Sequence, residues 1–563
     1  MQFRRRAAAA AAWPLLWATF CAHAAGAPSS SIIRELPANS ALCVICNNVA
    51  QLDQRITRFE QRITGQQPQF DEFAALKMVL GPYWNISAPM AWVLPSPAKG
   101  KILELRQSVV ILQTTNTAKF IAGLKNGAVR GGITPARIEG TPAFIATSGL
   151  WTVISASRSE LKSYLQTKTR LKLSGKMTTV LRHADIAIEA DARAIRKELG
   201  DPSQALLFSA MPGNPLSLPN PALKSILRQM GNKLNKQLNT ALKRSVLTLH
   251  FGRQALIINM TTGFHAHSPI AHLFAAQPPL PAQALAGLPD HRYFALYADR
   301  INGPSVAKWL QTLLPAKVQN SPGDPRPKRS PTSQEIPHIL AAVADHTGAV
   351  AIVLPPATPS GTGREPLNHW SPGPAIIIMR GKHPTTEMHN LASYFSRTTH
   401  AQTKTDPPDG RNLTHGTLMG YQAIRIVGPT QKPIKNSQTV ELINMQTHGV
   451  LLCVGVPHAL LKSAVIAADK NLTTIMKRPG LTQSITEIVP RSFMVAYLPI
   501  ARWTQQQTAA PKPKPANALA LGLPPPPAVV SVGAGKKSLV IQVYIPVATL
   551  EQSLSGNPTG ALF

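Results

Sequence analysis

The sequence predicts an α+β fold, arranged as two tandem homologous domains, each a largely antiparallel sheet with packed helices. Three observations predict it. Apolar strand-like runs come in pairs and mix with single helical runs, without the regular alternation that a parallel doubly wound sheet requires. The same opening occurs twice: Leu36-Pro37-Ala38 leads into ALCVICNN from Ala41, and Leu288-Pro289-Asp290 leads into YFALYADR from Tyr293. Further matches then recur in the same order along both stretches.

In the first stretch, the unbroken apolar run at 41–46 reads as a buried strand, and a helix is expected near 49–63. Asn47, and Asp299 in the second stretch, suit the strand-to-helix step, where a short acceptor satisfies an open N–H. Strands follow at 89–94 and 108–113, then a helix at 117–125. Runs at 136–146 and 150–156 form a hairpin around Ser148-Gly149. A helix at 158–165, a strand at 184–190, a helix at 191–199 and a strand at 204–211 come next. Asn220 and Pro221 open a long helix to Arg244, with Leu223, Ile226, Leu227, Met230, Leu234, Leu238 and Leu242 at helical spacing. Its charges are all basic: Lys224, Arg228, Lys233, Lys236, Lys243 and Arg244. Such a helix can lie on an anionic membrane, or simply pack on the core with a basic solvent face; the second reading is the plainer. A strand pair at 246–262 ends the stretch.

The ordered matches support duplication. Ala91 to Pro95 matches Ala351 to Pro355, Ser108 to Leu112 matches Ala375 to Met379, and Gly140 to Phe144 matches Gly420 to Ile424. Ser159 to Lys162 matches Ala459 to Lys462, and Ala192-Arg193 matches Ala501-Arg502. The separation widens where the second stretch carries loop formers, as at Ser321 to Pro331 and Thr405 to Asn412, because surface loops accept insertions. Leu256 to Ile258 matches Leu539 to Ile541 at a smaller separation, so the first stretch holds extra residues there, including the long helix. The expected organisation is a signal peptide at 1–24, a linker at 25–35, a first α+β repeat at 36–277 and a Pro/Ala-rich linker at 278–287. A second repeat at 288–550 carries Pro-rich insertions at 318–337, 355–374 and 505–530, and a tail at 551–563 ends the chain.

Export is read from the N-terminus, where Arg4 to Arg6, an apolar stretch from Ala7 to Ala22 and the small-x-small step Ala22-His23-Ala24 form a signal-peptide pattern. An uncleaved anchor is the alternative, but the apolar run is short for a span of about 20 residues. The expected location is therefore periplasmic or extracellular. The 563 residues carry 58 Lys and Arg against 26 Asp and Glu, a formal net charge of +32. A field of that sign favours polyanions and anionic surfaces. The alternative is an evenly solvated surface in which acids are scarce. For an exported chain the candidate partners are an anionic envelope polymer or the membrane surface. No nucleic-acid partner is expected, because no aromatic-basic box accompanies the charge.

Cys43-Val44-Ile45-Cys46 has C-x-x-C spacing inside an apolar strand. On a strand, residues three apart face opposite sides, so the two sulfurs cannot converge on a metal or close an unstrained disulfide. A reactive pair also needs a helix N-terminus beneath it, and here the helix starts after the second cysteine. Both are read as small core hydrophobes, in line with the alanines at the matching positions 295 and 298.

Catalytic patterns are weak. Ser159-x-x-Lys162 with His346-Thr347-Gly348 echoes the boxes of penicillin-interacting serine enzymes, but no middle S-x-N or Y-x-N box lies between them. His265, His267 and His272 lack a neighbouring acid or thiol to complete a metal site. Ser360 to Arg364 is too short to cradle phosphate. The Lys-Pro repeat at 511–515 reads as solvated extended chain. No catalytic, cofactor-binding or metal residue is therefore assigned, and no cofactor is expected. The layout resembles uncharacterised exported bacterial proteins with two tandem α+β repeats, a resemblance that implies no activity. The expected role is non-enzymatic binding or scaffolding of an anionic envelope component; the alternative is a hydrolase or processing enzyme with a site assembled from distant residues.

Overall fold

The computed structural model describes residues 30–65, 77–96, 107–124, 127–172, 175–191, 221–314, 340–354, 374–400, 413–427, 439–478, 480–500 and 526–555. The signal pattern, the helix and strand expected at 191–211, residues 360–364 and most of the three Pro-rich insertions lie outside them. The chain divides into two compact units: Met1–Pro202 with Leu242–Phe264 and Val543–Phe563, and Ser203–Ala241 with His265–Gln542. They are not the sequential repeats 36–277 and 288–550. The long helix leaves the first stretch for the second unit, and the C-terminal helix leaves the second stretch for the first unit.

The first unit contains β1 (Ser40–Cys46), β2 (Met90–Pro95), β3 (Val109–Leu112), β4 (Thr134–Ile138), β5 (Thr141–Ser148), β6 (Trp151–Ser155), β7 (Ile186–Asp191), β8 (Leu242–Phe251) and β9 (Ala255–Phe264). All pair antiparallel, in the order β4-β5-β6-β3-β2-β1-β7-β8-β9. Helices α1 (Ser30–Ile33), α2 (Val49–Thr64), α3 (Thr117–Leu124), α4 (Arg158–Gln166) and α5 (Gly175–His183) cover both faces. Ile32, Leu161, Tyr164 and Leu181 pack on one face with Cys43 and Ile45; Val49, Leu52 and Phe120 pack on the other with Val44 and Cys46. A sheet covered on both faces explains why its central strands read as unbroken apolar runs.

Asn48, not Asn47, caps α2: its side chain accepts from Gln51 N, and Gly65 closes the helix in the left-handed region. Buried Asn47 instead donates Nδ2–H bonds to the carbonyls of Leu181 and Ala184 at the end of α5. The strand expected at 136–146 is two strands, divided by a tight turn at Glu139 and Gly140 with φ of 49° and 76°.

In the second unit lie β10 (Ala295–Arg300), β11 (His346–Val353), β12 (Ala375–Gly381), β13 (Leu413–Leu418), β14 (Tyr421–Val427), β15 (Thr439–Asn444), β16 (Val450–Val454), β17 (Ser492–Leu498) and β18 (Ala528–Ala534). Their antiparallel order is β13-β14-β15-β16-β12-β11-β10-β17-β18. Residues 528–530, expected within a Pro-rich insertion, therefore begin a strand. Helices α6 (Pro221–Ala241), α7 (Pro269–Ala275), α8 (Gly303–Leu313), α9 (Pro384–His400), α10 (His458–Asp469) and α11 (Leu481–Ile485) belong to this unit. The α9 face is sealed by Met388 and Ala392 against Ile377, Met379, Ile424 and Leu452.

The long helix ends at Ala241, and Leu242 to Arg244 already belong to β8. Helix α6 packs against α7 and α8. Lys233 reaches the Leu314 carbonyl, and Gln237 accepts from the Trp309 indole and donates to Thr312. Helix α12 (Val547–Ser555), near the end of the chain, packs against α2 in the first unit. No helix among the described residues is long and apolar enough to cross a membrane.

Candidate functional site

Residues 278–287, read from composition as a linker, run as a packed strap across one end of the second unit's sheet. Leu285, Ala286 and Leu288 are buried. The strap is tied at four points: Leu280 N donates to Ser492 O, Gly287 N to Leu472 O, Arg300 Nη1 to Pro279 O and Arg380 Nη2 to Ala286 O. Gly287 adopts φ +93°, a backbone conformation that residues with a side chain rarely adopt, so glycine lets the strap close onto β12 without strain.

A cavity of about 430 Å³ opens on one side of the strap, lined by Gln283, Thr347, Ile378, Arg380, His448 and Asn471 among others. Among the described residues no carboxylate lines it. A second cavity, of about 320 Å³, lies on the other side, against Leu280, Ala284, Met476, Ile485, Ile488 and Tyr497. Pro281 lines both. Volumes near these are typical of small-molecule sites.

Arg380 stands near the end of β12, after the apolar run of Ala375 to Met379, with Ile378 on the same strand face. Its guanidinium has five N–H donors. One of them reaches Ala286 O at 3.3 Å, and no carboxylate among the described residues pairs with it. Burial and the neighbouring Arg300 both press its pKa below the usual arginine value. A half-buried guanidinium beside a like charge is electrostatically unsatisfied, and a bound anion relieves both terms. Thr347 Oγ1 donates to Arg380 O and fixes the strand beneath the cavity floor.

A second cluster lies in the same unit. His346 Nε2 is 3.8 Å from Asp299 Oδ1, and its Nδ1 is 3.7 Å from Glu387 Oε1. Asp299 also accepts from Ala349 N and from the Tyr297 hydroxyl, so it serves the β10–β11 junction, while Asn302 caps α8 in place of the expected Asp299. Burial alone would lower the His346 pKa; the two carboxylates override it and push it up to about 9. The imidazole is therefore a cation held between acids at neutral pH. In the first unit, fully buried Asp185 accepts from Arg55 and from Phe251 N, and fully buried Glu189 pairs with Arg244. These are structural ion pairs that tie helices and edges to the sheet.

The sequence candidates are not brought together. Cys43, Cys46 and Cys453 are buried and form no disulfide; burial raises the pKa of Cys43 and of Cys453 far above the ordinary range. Cys43 and Cys46 fall in separate core clusters on opposite sheet faces. Ser159 and Lys162 are exposed on α4, and the Ser159 hydroxyl lies 2.9 Å from that of Ser157. His265, His267 and His272 are exposed around the start of α7. Among the described residues no group of three or more His, Cys, Asp or Glu is placed to hold a metal ion. Arg380 was not singled out in the sequence, where an arginine closing an apolar run reads as the end of a strand.

No family model and no curated protein sequence matches the chain. Solved structures titled crystal forms I, IV and III of TP0453 match at 12, 12 and 14% identity, with TM-scores of 0.23, 0.23 and 0.24. They cover 43, 41 and 43% of this chain and 80, 79 and 84% of their own. Likeness at that level carries no functional argument.

Proposed function

We propose that the chain is exported and acts as a non-enzymatic binding protein for an anionic component of the cell envelope, taking an anionic group in the cavity at Arg380. The observation that carries this is a guanidinium beside a second arginine that, among the described residues, has no carboxylate partner and no acid lining its cavity. The formal charge of +32 adds a long-range attraction of the same sign. Calorimetric titration of the full mature chain with inorganic phosphate across a salt series tests it. One saturable site is expected, weakened by salt and reduced about tenfold or more by Arg380→Met, the scale of a charge-assisted hydrogen bond. Binding that is absent, or that Arg380→Met leaves intact, rejects it.

A second reading, a processing enzyme, is supported by the convergence of Asp299, His346 and Glu387 from β10, β11 and α9. A protonated His346 would act there as an acid. A hydrolytic activity abolished by His346→Gln would favour this reading over binding.

We infer also that the two stretches are copies of one architecture. The support is an eight-strand correspondence: β4-β5-β6-β3-β2-β1-β7-β8 in one unit and β14-β15-β16-β12-β11-β10-β17-β18 in the other. In this alignment β13 is an added edge strand, and the sequence match of Gly140 to Gly420 is displaced by one hairpin. An experimental structure in which the eight strands do not superimpose would reject the duplication.

A further inference from the structure

The strap separates two cavities, one lined about equally by polar and apolar groups and one mainly apolar, and one residue, Pro281, lines both. On one side are Arg380, Gln283, His448 and Asn471, all able to donate hydrogen bonds, with Thr347, whose hydroxyl already donates to Arg380 O. On the other side Leu280, Leu285, Met476, Ile485 and Ile488 offer a bound group mainly apolar surface, with Arg491 and Ser492 the polar residues of that lining. A small inorganic anion would use only the first cavity and leave the apolar one without an occupant. A neutral hydrocarbon would use only the second and leave Arg380 unanswered.

We propose that the ligand is a single-chain anionic amphiphile, with its charged group at Arg380 and its hydrocarbon chain passing Pro281 into the apolar cavity. This rests on the reading of the Arg380 cavity as an anion site and adds the chemistry of the rest of the ligand. The strap is the element that recognises it: its Gln283 side faces the head and its Leu280 and Ala284 side faces the chain. The Gly287 conformation and the four backbone ties hold the strap over both cavities at once.

Calorimetric titration of the full mature chain with inorganic phosphate, butyl phosphate, hexyl phosphate and octyl phosphate, all kept below micelle-forming concentrations, tests the proposal. Affinity should rise with chain length by up to about fourfold per methylene, the transfer free energy of a buried CH₂ group. Arg380→Met should weaken all four ligands by a similar factor. Ala282→Trp, at an exposed strap position lining only the apolar cavity, should bring the affinity for octyl phosphate down toward that for inorganic phosphate and so remove the chain-length dependence. Octanol should bind far more weakly than octyl phosphate. Phosphate binding without chain-length dependence would overturn the amphiphile and leave the anion site standing. Chain-length dependence that survives Ala282→Trp would also overturn the amphiphile. Loss of all binding, phosphate included, would overturn the anion site as well.

Discussion

The buried histidine predicts a specific pH dependence of stability. His346 is 14% exposed, and Asp299 and Glu387 face it from β10 and α9 at 3.8 and 3.7 Å. Its pKa is pushed from 6.5 up to about 9. A group with a raised pKa in the fold binds its proton more tightly there than in the unfolded chain. Its contribution is therefore fully present below pH 6.5 and lost as the pH climbs through about 9. At 1.36 kcal/mol per pK unit, the span corresponds to at most about 3–4 kcal/mol. Both ring nitrogens lie beyond hydrogen-bond distance of the acids, which places the expected value toward about 2 kcal/mol. Urea unfolding of wild type and His346→Gln should be followed by the fluorescence of Trp309, on α8 in the same unit, from pH 6 to pH 10. The difference in unfolding free energy between the two chains should shrink by that amount as the pH rises, while titrations common to both cancel. A constant difference across the range would refute the reasoning, and a growing one would reverse its sign.

Other outcomes follow from the same packing. Arg244→Met leaves the fully buried Glu189 carboxylate without its partner and should cost about 3–5 kcal/mol in urea unfolding of the first unit; adding Glu189→Gln should recover much of the loss. Cys43, Cys46 and Cys453 should resist a thiol reagent in the native chain and react only as fast as the protein opens, measured by release of the reagent chromophore. Removing the chain after Pro546 deletes α12 and uncovers α2, so amide exchange across Val49–Thr64 should accelerate at least about tenfold while Gly303–Leu313 is unaffected.

The parts of the fold legible in the sequence are those specified locally. Strand β1 is an unbroken apolar run because both sheet faces are covered, and α2 starts where Asn48 offers an acceptor beside a change of period. Helix α5 was missed because it begins at a glycine and carries few apolar residues to set a stripe. The end of α6 was misplaced because Leu242 keeps helical spacing from Leu238, and no Gly or Pro marks the step into β8. What divided the expected strand at 136–146 was a two-residue turn whose first member, Glu139, adopts φ 49°, a conformation its residue type does not announce. The strap looked like a linker because its composition is that of one, and only tertiary ties to Ser492, Leu472, Arg300 and Arg380 make it part of a site. Those partners come from four separate segments, so no spacing could have gathered them. The units themselves were obscured because α6 belongs to the unit built mainly from the second stretch and α12 to the unit built mainly from the first.

The most direct test of the account is the position of a bound anion. Crystals of the protein soaked in selenate, with diffraction collected at the selenium edge, would report it without assumptions about the natural ligand. An anomalous peak is expected within hydrogen-bond reach of the Arg380 guanidinium, inside the cavity beside Gln283 and Thr347 and absent from Arg380→Met crystals. Peaks confined to surface lysines and arginines, with the Arg380 cavity holding only water, would contradict it.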